Sequence, residues 1–439
     1  MAFPADNRRR LRALLCVALG VLVIRGACML TLHHNLDSDV DEYRQLAQNL
    51  RQHHVYGRQL ETPIRPTAFR PPLYPLVLAG TSPTGTISHW QVMTLHLLMS
   101  IASAWTMILL ARASGAGRAC WLAGLVVTID PILLLHSTQL MTETLATLLA
   151  LLLLLVLLQS DGGSKPRWML LAGAIVGLAI LCRPTFLVFA GLAWLVIAVR
   201  RHWKSLVMFS LATGAVLLPW IVRNYLVLGK PVVTTTHGGY TLLLGNNPLF
   251  YEHLRSAPYG TTWNPDRFDT GWINNHVSDD PGFDFWPEKT SLTESGGSRG
   301  EVNDDRFAYQ VAFHSMRAEP TSFAWSCLVR LGRLWSPLPH QLKPDESFST
   351  RLLRYAAGAW YLVVLGMAGV GCWRKKSSWM SDPWIWGLLL CLAFSLVHVF
   401  YWSQIRMRAP LMPFVYLAAL SCLSWYGSGK NDGRETTLE

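Results

Sequence analysis

The sequence predicts an all-α polytopic membrane protein of about ten transmembrane helices, with interfacial helices in a first outer loop and a mixed α/β or irregular long outer loop. Three observations predict it. Hydrophobic residues make up 51% of the 439 residues and charged residues only 15%, whereas soluble domains carry about a quarter charged residues. Apolar runs long enough to cross a bilayer as helices recur along the chain. Lys and Arg gather at the ends of those runs, as orientation signals do. The net charge of +11 therefore reports orientation, and no nucleic acid partner is expected. The eight Cys lie in or beside apolar runs and none falls between Asn224 and Pro320, so no disulfide framework is expected. CxxC and metal-type Cys/His spacings are absent, and no metal or other cofactor is expected.

Arg8, Arg9, Arg10 and Arg12 precede the run from Leu11 to about Leu32. The run contains Arg25, exceeds a normal signal core and lacks a small-residue cleavage site, so an uncleaved helix with a cytoplasmic N-terminus is expected. His33 to His89 is too polar to span and forms the first outer loop. It begins with four carboxylates within seven residues, Asp37-Ser38-Asp39-Val40-Asp41-Glu42-Tyr43. Tyr43, Leu46, Ala47 and Leu50 follow at helical spacing, predicting a helix with one apolar stripe, and Asp39 shares a face with Tyr43 if that helix starts early. The acids have a purely structural use as caps of its N-terminus. Pro66, Pro71, Pro72 and Pro75 are expected to forbid regular helix until after Pro75.

Trp90 to Ala111 then spans, Trp121 to His136 crosses outward past Asp130-Pro131, and Leu140 to Gln159 returns. Glu143 opens this last run, and an acid at that depth is costly unless it meets water or a partner; it also serves as a first-turn helix acid. Trp168 to Leu181 runs outward to Arg183-Pro184, Phe186 to Ala198 runs back to Arg200 and Arg201, and Leu206 to Trp220 runs out to Arg223-Asn224. The long outer region from Tyr225 to Thr350 opens on Thr234-Thr235-Thr236-His237-Gly238-Gly239-Tyr240 and Gly245-Asn246-Asn247-Pro248, which suit short strands or extended loops. Ser278 to Asp305 is rich in Gly, Ser and acids and is expected to be mobile. Phe307 to Met316 and Thr321 to Trp335 show helical periodicity, the latter as an interfacial or re-entrant helix bearing Arg330 and Arg333. Tyr355 to Trp373, Trp384 to Tyr401 and Leu411 to Tyr426 complete the spans, with Arg406-Met407-Arg408-Ala409-Pro410 in the last outer turn. No internal repeat is evident, which weighs against transporter folds built from paired halves.

Sorting polar residues by side isolates one group. Arg183, Arg223, Arg406 and Arg408 fall at outer ends, against the positive-inside bias, at the level of Asp39, Asp41, Glu143 and Arg70. Guanidinium groups suit bidentate phosphate recognition, so several beside carboxylates suggest an anionic lipid head group together with an acid/base residue. A single such Arg is more often a surface side chain reaching for water.

These motifs, in order, resemble the bacterial polyprenyl-phosphate-dependent glycosyltransferases of the type C membrane fold, related to protein O-mannosyltransferases and lipid A aminoarabinose transferases. The resemblance is carried by Asp39 four residues before Tyr43, Arg70-Pro71-Pro72-Leu73-Tyr74-Pro75, Thr142-Glu143, Arg183-Pro184, Pro219-Trp220 with Arg223-Asn224, Gly245-Asn246-Asn247-Pro248 and Arg406-Met407-Arg408-Ala409-Pro410. It implies a catalytic Asp in the first outer loop, which falls on Asp39, with Asp37 and Asp41 flanking it. It further implies a polyprenyl-phosphate sugar donor near the basic outer ends and an acceptor beneath the long outer loop. The expected organisation is an N-terminal transmembrane module, residues 1–222, holding the catalytic first outer loop 33–89; a long outer-face region, 223–350; and C-terminal membrane helices with a cytoplasmic tail, 351–439.

The expected activity is an inverting sugar transfer at the outer face of the bacterial inner (plasma) membrane. Asp39, with Asp41 as the alternative, acts as general base; Glu143 orients the acceptor or a first-loop residue. Tyr43, Arg70, Arg183, Arg223, Asn224, Arg406 and Arg408 form the substrate-binding set, the arginines holding the departing phosphate. A transporter or flippase for an anionic lipid-linked substrate would use the same arginines, but it favours charges along span interiors, where Arg25 is the clearest case. A non-catalytic assembly protein would use the acids only as helix caps.

Overall fold

A computed structural model describes residues 5–59, 63–82, 84–258, 261–274, 300–341 and 345–423. Among them regular structure is helical apart from one antiparallel pair, Gly57–Arg58 with Arg65–Pro66. Helix occupies each of the ten expected spans: Ala5–Thr31, His89–Ala113, the bent pair Cys120–Ile129 and Pro131–Ser137, Glu143–Leu158, Pro166–Cys182, Phe186–Val199, Trp203–Leu228, Phe348–Arg374, Trp384–Phe400 and Met412–Ser421. Arg12–Thr31, His89–Ala113, Trp203–Leu228 and Phe348–Arg374 are long and apolar enough to cross a membrane individually, and the pair bent by 53° makes a fifth such element. Glu143–Leu158, Pro166–Cys182, Phe186–Val199 and Trp384–Phe400 are apolar but shorter. Large apolar side chains point outward, among them Leu211, Leu226, Leu353 and Leu362. A protein that leaves such residues on its periphery has lipid as its solvent, and the chain is an integral membrane protein.

Close packing comes from small residues where helices cross. A Cβ at Gly173 would stand 2.4 Å from the carbonyl oxygen of Phe209. Only a residue without one lets Pro166–Cys182 lie against Trp203–Leu228, the kind of close approach that drives association in lipid.

The bend at Asp130-Pro131 exposes backbone groups that lipid cannot satisfy. Arg25 turns inward and donates to the carbonyls of Val127, Thr128 and Leu133 at 2.8, 3.2 and 3.1 Å and to the Ser100 hydroxyl at 3.1 Å. Asp130 caps the second half through the Leu133 N–H at 2.7 Å and accepts the hydroxyls of Tyr361 and Tyr416 at 3.0 and 2.5 Å. The interior charge noted in the sequence is thus fully engaged in holding a broken helix together.

The first loop contributes Tyr43–His53 and Leu73–Thr81, which pack together and bury Leu46, Ala47, Tyr74 and Leu78 in the same core as the bundle. Two expectations are corrected here. Tyr43–His53 begins only after Glu42, whose backbone is left-handed at φ 61°, so Asp39 stands outside the helix and shares no helical face with Tyr43. Leu73–Thr81 begins two residues before Pro75, because a first-turn N–H has no intrahelical partner for proline to remove.

The long connection has its own apolar cluster, Leu242, Leu243, Phe268, Phe307, Ala308, Val311 and Ala312. It comprises helices Gly238–Leu244, Pro248–Ser256, Asp266–Asn274, Glu301–Ala318 and Pro320–Trp335. Gly238–Leu244 replaces the extended structure expected there. A Cβ at Gly239 would stand 2.1 Å from the Asp305 carbonyl oxygen, so the glycines that read as turn formers permit two helices to touch. Of the stretch expected to be mobile, Ser278 to Arg299 lies outside the described residues, and Glu301 onward is helical.

The basic clusters predict sidedness. Cysteine introduced at exposed Ser256 is expected to react with a membrane-impermeant maleimide in intact cells above the parent background, and cysteine at exposed Ser377 only after permeabilisation. The reverse pattern, or equal labelling, would invert or abolish the assigned orientation.

Candidate active site

The loop-bearing end of the bundle gathers most of the predicted residues into two charged groups separated by aromatic rings. In the first, the Asp39 carboxylate accepts the N–H groups of Arg44 and Gln45 at 3.1 and 3.0 Å, one on each oxygen. These are unpaired donors of the helix start, so Asp39 does cap the helix. Partial burial raises its pKa, opposed by the two N–H groups and by the Arg44 charge. Asp41 meets Arg70 at 2.6 Å, with both side chains largely covered, and Glu42 pairs with Arg58. The guanidinium of Arg58 lies 4.2 Å and that of Arg70 4.6 Å from the Phe69 ring centroid. His237 packs on that ring at 4.5 Å and on Tyr240 at 4.8 Å. Burial, and then the charges of Arg70 and Arg58, hold His237 neutral, well below the ordinary histidine pKa.

In the second group Glu143 is buried and accepts Arg183 at 2.6 Å, with Arg406 3.8 Å away. Arg183 also donates to the Thr142 hydroxyl at 3.0 Å, so the Thr142-Glu143 pair orients it from two sides. Two guanidinium groups against one carboxylate leave one positive charge in excess. Arg406 faces a cavity of about 740 Å³, whose walls include Leu135, Leu244, Leu254, Trp325 and Val329 with Arg333 and His340.

Tyr43 and Tyr74 stand between the groups, edge to face at 5.2 Å. The Tyr43 phenol is pushed up mainly by burial, and it lies within the fields of Arg70 and Asp41 on one side and Arg183 and Glu143 on the other. Tyr74 is bonded to His96 Nε2 at 2.8 Å.

The remaining members of the expected set are engaged elsewhere. Arg223 donates to the carbonyls of Tyr56 and Thr67 at 2.6 and 2.7 Å and to Asn224 Oδ1 at 2.9 Å. Asn224 donates to Val232 O at 2.9 Å. Arg408 is fully buried, donates to Leu334 O and Ser336 O at 3.3 and 2.7 Å, and lies 4.3 Å from the Tyr361 ring centroid. These three join neighbouring segments of backbone and do not line the cavity. Arg58 was not singled out from sequence; Glu42 was named there only as one of the four acids around Asp39, and Tyr74 only within the Arg70 to Pro75 motif. Among the described residues no group of His, Cys, Asp and Glu has the arrangement of a metal site.

Residues 69–224 match the family model of dolichyl-phosphate-mannose-protein mannosyltransferase. The match contains Arg70, Glu143, Arg183, Arg223 and Asn224, and it agrees with the resemblance drawn from the motifs. No curated protein matches the chain. Among solved structures, the Archaeoglobus fulgidus oligosaccharyltransferase in its apo form is similar at 15% identity over 93% of this chain and 50% of that one, with a TM-score of 0.47; the chain spans about half its length. ArnT from Cupriavidus metallidurans bound to undecaprenyl phosphate is similar at 16% identity over 96% of this chain and 79% of that one, with a TM-score of 0.39.

The contrast between Arg408 and Arg406 is measurable. Arg408→Met orphans two carbonyl oxygens and is expected to destabilise the purified protein by about 1–3 kcal/mol, seen as a lower thermal unfolding midpoint. Arg406→Met, which removes the longer of two contacts to Glu143, is expected to shift the midpoint far less. Equal shifts would show that both arginines are structural.

Proposed function

We propose that the chain is an inverting membrane glycosyltransferase that moves a sugar from a polyprenyl phosphate to an acceptor at the outer face of the bacterial inner membrane. The observation that carries this reading is Arg406, shared between the buried Glu143–Arg183 group and the large apolar-walled cavity. A polyprenyl phosphate needs an apolar wall for its chain and fixed positive charge for its head, and the two meet at this side chain. The family match over residues 69–224 supports the same reaction class.

The acceptor hydroxyl oxygen forms a bond to the anomeric carbon while the bond from that carbon to the phosphate oxygen breaks. The electron pair leaves on the phosphate, and the proton passes to Asp39. Asp39 suits this role because two helix N–H groups fix its orientation, while burial raises its basicity. Asp41 is the weaker candidate, since Arg70 already occupies its carboxylate at 2.6 Å. Arg406 and Arg183 stabilise the departing phosphate, and Glu143 keeps both guanidinium groups aimed. An anionic-lipid transporter is less well supported, because Arg25 spends its donors on the backbone of the bent helix.

Asp39→Asn keeps the shape and one acceptor oxygen but takes no proton, so transfer is expected to fall by about 10²–10⁴-fold at matched membrane levels, with Asp41→Asn milder. Because burial raises the Asp39 pKa, loss of activity on acidification is expected to set in above the ordinary carboxylate range. The measurement is release of lipid phosphate from labelled polyprenyl-phosphate sugars across a donor panel. Near-normal turnover by Asp39→Asn with loss in Asp41→Asn would move the base by two residues; lipid movement without cleavage would make the protein a transporter.

A further inference from the structure

The proposed base, Asp39, lies in the same acidic loop as Asp41, which Arg70 holds, and the segment that delivers Arg70 has no regular structure of its own. Thr67-Ala68-Phe69 is held instead by a carboxylate from the far side of the long connection. Glu301, the first residue of Glu301–Ala318, accepts the Ala68 N–H at 2.7 Å and the hydroxyls of Thr67 and Thr236. The Thr67 hydroxyl accepts the Phe69 N–H at 2.9 Å, the Thr236 N–H donates to Ala68 O at 3.0 Å, and the Thr235 hydroxyl donates to Phe69 O. One turn on, Asp305 accepts the Gly239 N–H at 2.7 Å, so the same helix grips both sides of the contact.

The consequence reaches the acids through Phe69. Its ring lies against Arg58 and Arg70, which pair with Glu42 and Asp41 respectively. Fixing Ala68 and Phe69 therefore fixes the platform on which both guanidinium groups rest. A carboxylate suits the position because it accepts all three donors at once, whereas an amide offers one acceptor oxygen and adds N–H groups where donors already point.

We infer that Glu301 is a positioning residue for the acidic first loop, acting through Ala68, Phe69 and Arg70 on Asp41 and the neighbouring Asp39. The inference rests on the transferase reading for its catalytic consequence but not for its structural content. Two measurements on the full chain in lipid nanodiscs separate these. Hydrogen exchange is expected to speed up in Glu301→Gln across peptides covering residues 65–72 and 234–240, leaving the Tyr43–His53 and Glu143–Leu158 helices as in the parent. Unchanged exchange at 65–72 overturns the inference whatever the protein catalyses. In transfer assays Glu301→Gln is expected to lower kcat by about 10-fold with donor KM within about twofold of the parent. In an Arg70→Ala background it is expected to cost less than about twofold more, because the two act along one path. Full additivity with Arg70→Ala overturns the positioning role and leaves Glu301 as a tie between loops. A parent chain that turns over no donor sinks the transferase reading, and the exchange measurement then decides the Glu301 contact on its own.

Discussion

The burial of Glu143 at the head of an almost wholly apolar helix is the constraint on which the loop-bearing end depends. A carboxylate removed from water is tolerated only with close cations; Arg183 supplies one by a hydrogen bond at 2.6 Å and Arg406 a second charge 3.8 Å away, from two other parts of the chain. The ion group therefore joins the start of Glu143–Leu158, the end of Pro166–Cys182 and the last turn, Ile405–Leu411. Replacing the acid alone would leave two guanidinium groups facing each other, and replacing either base would weaken what neutralises the acid. The same arrangement leaves one positive charge next to an apolar-walled cavity, so a structural necessity and the anion binding proposed for this end have a single source.

Elsewhere the bundle meets the demands of lipid with polar side chains spent on backbone. Arg25 and Asp130 cover the groups freed where Cys120–Ile129 gives way to Pro131–Ser137. Arg330 performs a similar task between the two cores, donating to Val399 O at 2.8 Å and to Gly245 O. Buried guanidinium groups recur because one side chain satisfies several carbonyls, which lipid cannot do.

The ten helical stretches were legible because apolar runs and basic turns are written directly in composition. The stripe of Tyr43, Leu46 and Ala47 was legible for the same reason: periodicity reports which face is buried. Helix starts were less legible. Asp39 lies outside its helix because Glu42 adopts a left-handed backbone, which sequence spacing does not encode. Gly238 and Gly239 read as turn residues, yet their small size serves a contact with a helix some sixty residues on. Glu301 was hidden inside an acidic, glycine-rich stretch whose composition suggests mobility. Its partners, Thr67 and Thr236, carry no local signal that they share a carboxylate, because that juxtaposition is set by tertiary packing.

Partner type also sorts the arginines at this end. Arg223 and Arg408 donate to backbone carbonyls, so turning either toward a ligand would orphan buried acceptors, each costing about 1–3 kcal/mol. Arg58, Arg70, Arg183 and Arg406 instead face carboxylates. A phosphate is chemically close to a carboxylate as an acceptor, so these arginines are able to take an anionic ligand by sharing or exchanging a partner of the same kind. Within that set only Arg406 also borders the large cavity. A ligand head group entering from the cavity would meet Arg406 first and Arg183 behind it, with Glu143 preventing both side chains from following the ligand out.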